Sequence, residues 1–229
     1  MTKKYFSDEI YSKTLDSSLG SASDMLIKTG VDKTIVIDTP VYSDAPMTFS
    51  FKGTGDEAAV STFVGGIKQF KFDIGKVLYI NNTEAPHDYK YGTGAEIHLH
   101  WMIKNNLIAG DKVKWQFEFA IGNVRNGVNE MTILCDPDNP TVFGTKTIDV
   151  EYTAPVGGIP AGTVLYSTLG VVSAEAMADV RIGCSLIGTL SRVAKSTGGT
   201  DPAADTVYAM NMGIHYEIDT LGSRTRTVK

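Results

Sequence analysis

The chain has 229 residues, 21 of them Lys or Arg and 26 Asp or Glu, for a formal net charge of −5. With a pI near 5.4 and no clustered basic run, it lacks the surface that tracks a phosphate backbone, which excludes nucleic acid as an expected partner. No window reaches the ~20 apolar residues of a membrane helix, so no membrane partner is expected, and the N-terminal "MTKKYFSDEIYSK" has no apolar signal core, which predicts folding in the cytoplasm.

The first stretch, residues 1–30, mixes apolar and polar residues with Ser-rich breaks and no sustained period. It reads as an N-terminal arm, extended or only locally helical, with too little apolar surface to order alone. Alternation of apolar and polar residues then begins, the period of strands. It occurs at 33–38, 47–52, 67–73, 76–80, 95–103, 112–121, 146–152, 162–172, 178–194 and 205–219. The run "KVKWQFEFAI" puts Val113, Trp115, Phe117, Phe119 and Ile121 on one face and Lys112, Lys114, Gln116 and Glu118 on the other, as in a strand with one wet side. Residues 55–64, "GDEAAVSTFV", carry Asp56, Glu57 and two alanines and suit a helical turn or two. Turn formers separate the runs: "DTPVYSDAP", "KGTGDE", "NNTEAPHD", "CDPDNP", "APVGGIPAG" and "STGGTDPAAD". About nine or ten strands without helical crossovers predict an all-β fold, an antiparallel β-sandwich of jelly-roll type. The expected organisation is an arm, residues 1–30, and a single β-sandwich domain, residues 31–229. Cys135 and Cys184 stand in the apolar contexts "TILCD" and "RIGCSL" without paired spacing, which suggests neither a disulfide framework nor a zinc knuckle.

The stretch "GAEIHLHW" (94–101) holds the strongest chemical candidate, because His98 and His100 at i and i+2 project from one face of a strand. The pattern is superficially similar to the first motif of cupins. The glutamate that such a motif needs a few residues later is missing from Trp101-Met102-Ile103-Lys104-Asn105-Asn106, and no Pro-x-Gly segment precedes His215. His215 in "MGIHYEID" would supply a third ligand only if its strand lay beside 95–103. The expected reading is a hydrogen-bonded histidine wall beside Trp101 and Tyr216, with no metal and no cofactor. His87, in the loop "EAPHDYKYGTG", is read the same way.

No other constellation points to catalysis. There is no Gly-x-Ser-x-Gly elbow, and "LGSR" at 221–224 follows the last strand. Neither "GTGAE" nor "VGGIPAG" opens a helix with a following Lys-Ser or Lys-Thr pair. Glu217 and Asp219 share a strand face as paired carboxylates do in glycosidases, but read as solvated or salt-bridged acids. Tyr89, Tyr91 and Trp101 could stack on a sugar and equally suit packing. The expectation is a non-enzyme with no catalytic residues.

The motif order is informative in itself. "APHDYKYGTGAEIHLHW", followed by a terminal "IHYEIDTLGSRTRTVK", resembles a group of tailed-bacteriophage and prophage virion structural proteins. In that group a "PHDYKEGTDI-x-x-H-x-HW"-like and a closing "HYEIDTLGSR"-like segment bracket a β-rich domain. The resemblance covers residues 65–229 and is kept at Pro86, His87, Asp88, Tyr89, Gly92, His98, His100, Trp101, His215, Tyr216, Asp219, Gly222, Ser223 and Arg224. Tyr91 stands where an acid is usual, and the tail reads Thr225-Arg226 in place of a more acidic pair.

The resemblance implies a virion location, with function residing in interfaces. The expected role is capsid decoration or cement, as a homo-oligomer, most simply a trimer, bound to the major capsid protein or other virion proteins. The rivals are a tail, neck or head-fibre component touching the host, and a cupin-like metal enzyme. Arg224, Arg226, Lys229 and, upstream, Arg192 or Lys195 are the basic groups expected to meet an acidic partner. The period-two runs predict a far-UV circular dichroism spectrum dominated by strand, with under about a fifth of the residues helical.

Overall fold

Alternation becomes strand wherever a neighbouring backbone can take up the free N–H and C=O groups. A computed structural model describes residues 9–12, 25–29, 35–86, 88–122, 133–139, 142–174, 176–177 and 184–220. It contains β1 (Glu9–Ser12), β2 (Met25–Thr29), β3 (Ile35–Met47), β4 (Phe49–Ser50), β5 (Ala59–Val64), β6 (Ile67–Lys71) and β7 (Val77–Glu84). These are followed by β8 (Ala95–Ile103), β9 (Lys112–Gly122), β10 (Lys146–Thr153), β11 (Val164–Val172), β12 (Ser185–Val193) and β13 (Val207–Thr220). Among the described residues there is no helix. The two segments described within the expected arm are both strands, β1 pairing with β2 and β2 with β3.

The strands form two antiparallel sheets packed into a β-sandwich. In one, β13 lies between β3 and β8, β11 flanks β8, and the β5–β6 hairpin joins β13 at Tyr208 and Ala209, beyond the reach of β3. The other has the order β10-β9-β12-β7-β4. Four antiparallel pairs, β3 with β13, β7 with β12, β8 with β11 and β9 with β10, make the two halves of the chain run alongside each other. These eight strands are thus one long two-stranded ribbon, folded so that successive rungs alternate between the sheets. The β9–β10 hairpin is its tip.

The inward positions fill the space between the sheets. β8 contributes Ile97, Leu99, Trp101 and Ile103, and β9 contributes Val113, Trp115, Phe117 and Phe119, all buried. Trp115 meets Trp101 at 5.8 Å and Phe72 at 5.3 Å between ring centroids, both edge to face, the favoured geometry for aromatic quadrupoles. Trp101 donates its indole N–H to Ser167 Oγ at 3.0 Å. Cys135 and Cys184 are buried thiols not joined in a disulfide, and burial pushes the Cys184 thiol up to about 12, which keeps it protonated and inert. On the outer face of β9 and β10, Lys112 pairs with Glu151 at 2.7 Å and Lys114 with Asp149 at 2.9 Å, so the wet side is a charge ladder.

Three expectations are corrected. Residues 55–64 are not helical: Val77 N–H donates to Asp56 O at 3.2 Å and Ala58 N–H to Val77 O at 2.8 Å, and Glu57 accepts from the N–H groups of Lys52 and Gly53. The acids that suggested a helix start instead close a turn. The chain then alternates as β5 and reverses at Gly65, whose φ of +54° suits glycine. "DTPVYSDAP", read as a turn, lies inside β3. Pro46 sits on the stretch past the short β2 pairing, and Pro40 falls in the register break between Val36 and Val41, places where a missing N–H costs little. Arg192, read as available to a partner, is only 1% exposed. It follows Leu190 at i+2 on the inward face of β12 and donates to the carbonyls of Phe72 at 2.9 Å and Pro202 at 3.3 Å. Burial holds its pKa below the usual arginine range, against the pull of Asp201 and Asp73. Arg224, Arg226 and Lys229 lie outside the described residues.

Phe117 is fully buried and stacked on Phe119 at 5.0 Å. Phe117→Ala is expected to destabilise the fold by about 3–5 kcal/mol, read as a lower urea midpoint with an unchanged slope.

Candidate functional site

Since Ile97, Leu99 and Trp101 face the interior, Glu96, His98 and His100 must face out. The antiparallel registers bring partners to them from three strands: His98 lies opposite Gly213 on one side and Thr168 on the other, Glu96 opposite His215, and His100 opposite Tyr166. Across β13, His215 lies opposite Asp44 of β3. The result is a cluster of Asp44, Glu96, His98, His100, Tyr166 and His215 on the outer face of the larger sheet.

His98 is its centre. The side chain is fully buried although it points away from the core. The ring stacks on Tyr166 at 5.2 Å, meets His100 edge to face at 5.3 Å, and lies 4.2 Å from the ring of His215. Its Nε2 is 3.8 Å from Asp44 Oδ2, beyond hydrogen-bonding distance, and among the described residues neither ring nitrogen has a hydrogen-bond partner. A buried polar group left so costs about 1–3 kcal/mol. Burial first, and then the neighbouring His215, hold the His98 imidazole below the usual histidine range, against the opposite pull of Asp44. Glu96 accepts hydrogen bonds from Tyr166 and Thr168 and stands 3.9 Å from His215 Nδ1. Asp44, His98 and His215 each offer one metal-ligating atom, all within 4.8 Å of one another.

The segments that carry the resemblance form one unit. Tyr89 bridges Ile218, and Lys90 N–H donates to Glu217 O at 2.8 Å. Lys90 also pairs with the Glu217 carboxylate, and Tyr216 donates to Asp88 at 3.2 Å. Glu217 is therefore a salt-bridge partner, as its spacing suggested. Tyr89 is buried, with its hydroxyl on Thr93 O at 2.6 Å and its ring 6.3 Å from Tyr216.

The expected wall differs in composition. Trp101 and Tyr216 are both buried on the inward faces of their strands, opposite to the histidines, by the parity of the strand. The aromatic ring on the wall is Tyr166. His87, the side chain of Asp219, and Gly222, Ser223 and Arg224 lie outside the described residues. Asp44, Glu96, Tyr166 and Gly213 were not anticipated. Glu96 and His100 share the parity of His98, a usable signal, whereas the turn-like composition of its stretch hides Asp44.

No family model matches the sequence, and no curated protein does. Among solved structures, a chain from the infectious bursal disease virus Gx strain aligns over 93% of this chain at 12% identity and a TM-score of 0.33. One from the Gt strain aligns over 92% at 10% identity and a TM-score of 0.24. The aligned chain corresponds to 37% and 51% of the lengths of those viral chains.

Gly213 gives the cluster its room. A Cβ there would sit 2.6 Å from Asp44 Oδ1 and 2.8 Å from His98 Nε2. Gly213→Ala is expected to cost about 1–3 kcal/mol through crowding of these two groups, measured by denaturant unfolding.

Proposed function

We propose that the protein is a virion structural component, a capsid decoration or cement protein acting as a homotrimer, and not an enzyme. The reading is carried by one observation: the "PHDYKYGTG" loop and the "HYEID" strand, which resemble segments of phage virion proteins, clamp onto each other through Lys90–Glu217 and Asp88–Tyr216. The folded ribbon, with β3-β13-β8-β11 in one sheet and β7-β12-β9-β10 in the other, supports the jelly-roll reading, an architecture used by viral shells, lectins and cupins. Of these, a cupin-like enzyme is disfavoured because the middle of the sandwich is filled by Trp101, Trp115, Phe72 and Phe117, the cavity left at one end is lined by apolar side chains such as Ile97, Ile121, Leu186 and Ile214, and the histidines face out. Exposed apolar groups at one loop end, Ile108 at 65% and Val156 at 96%, border a common depression and suit burial against another subunit.

Light scattering of the purified chain is expected to give a trimer, and particles lacking the chain are expected to lose resistance to heat and low salt. A monomer, together with equally resistant particles, overturns the proposal. Stable particles that fail to adsorb to cells replace it with the head-fibre or tail reading.

A further inference from the structure

We propose that Asp44, His98 and His215 bind a divalent transition-metal ion of the zinc class on the outer face of the larger sheet. Two imidazoles and a carboxylate are a common donor set for such ions, with one coordination position left for water or another group. This inference does not rest on the virion reading.

The observation that points to a ligand is His98. It is fully buried, yet among the described residues both ring nitrogens lack a hydrogen-bond partner. A packed wall gives no reason to bury an imidazole in this way, whereas a metal ion uses the lone pair of a neutral ring. The rest of the cluster is arranged around that ring. Gly213 presents no side chain toward Asp44 and His98, and any Cβ at this position would fill the space between them. Behind His215, Glu96 faces Nδ1 at 3.9 Å and is itself held by Tyr166 and Thr168. At that distance Glu96 does not hydrogen-bond the ring, and it would reach the outer position common behind a histidine ligand only on closing by about 1 Å.

The spacing is compatible with this assignment. Metal–ligand bonds of about 2.0–2.2 Å put donor atoms roughly 3.2–3.6 Å apart in a tetrahedral site. The Asp44–His98 approach of 3.8 Å and the overall span of 4.8 Å call for a small inward closure. The ligands differ in freedom accordingly: the His98 side chain is 1% exposed and fixed, while Asp44 and His215 are 52% and 41% exposed and able to swing. They also border an open depression with Ser43, Glu96 and Glu217, which gives the ion a route in. His100 lies on the same strand face but is not part of the convergent set.

The test is isothermal titration of the chelator-stripped full chain with zinc chloride, paired with thermal melts at each metal level. The wild type is expected to bind a single equivalent per chain and to melt at a higher temperature with zinc. Asp44→Asn and His215→Ala, at half-exposed positions and so expected to fold, should each weaken binding about 10- to 100-fold and lose the zinc-dependent rise in melting temperature. His98→Ala should abolish both, and His100→Ala should retain wild-type binding. The proposal is overturned by the absence of saturable binding to the folded wild type. It is equally overturned by unchanged affinity in folded Asp44→Asn and His215→Ala, or by loss of binding in folded His100→Ala.

Discussion

Strand β13 is paired along both edges, with β3 on one side and β8 on the other, and this double pairing governs both faces of the sheet. Because side chains alternate, one register decides simultaneously what enters the core and what stands outside. With Gly213 opposite His98, the inward set is Met212 against Leu99 and Tyr216 against Ala95. The outward set is His215 beside Glu96, with Asp44 across the strand. A slip of one residue would bury the acids and imidazoles and expose the aromatics, so the apolar core itself holds the polar cluster in place.

Most polar side chains that enter the interior find at least one partner, and they tie segments distant in sequence; among the described residues the indole N–H of Trp115 is an exception. Arg192 joins the carbonyls of Phe72 and Pro202, and Ser167 receives the indole of Trp101. These contacts stitch β11 to β8, and β12 to the chain following β6 and the loop before β13. His98 is the sharper contrast: it is as deeply buried, but neither of its ring nitrogens is met among the described residues. The difference separates polar burial that serves the fold from polar burial that the fold does not explain.

Much of this architecture was legible in the chain. Val113, Trp115, Phe117 and Phe119 alternate without interruption, and they face the core as that period requires. Period two also identifies the common face of Glu96, His98 and His100. It carries no information about which strand lies beside which, so the approach of His215 and Asp44 to His98 could not be read locally. Asp44 was concealed further by prolines and acids that look like a turn but sit where β3 is unpaired on one side. Asp56 and Glu57 misled because carboxylates bind backbone N–H groups in turns as readily as at helix starts. Arg192 is a surface residue by type, whereas its spacing from Leu190 places it inward.

The ribbon also sets how the chain can find its structure. Its tip, the β9–β10 hairpin, is the most local of the four pairs, and every further rung joins residues more distant in sequence, up to Val36 with Thr220. Loop closure grows costly with separation, so pairing that starts elsewhere must first order a long stretch of chain for little return. Zipping from the tip closes each new loop across strands already in place. On that route β3 and β13 meet last, and because Asp44 and His215 lie on that final rung, the outer-face cluster comes into existence only as the whole ribbon is completed.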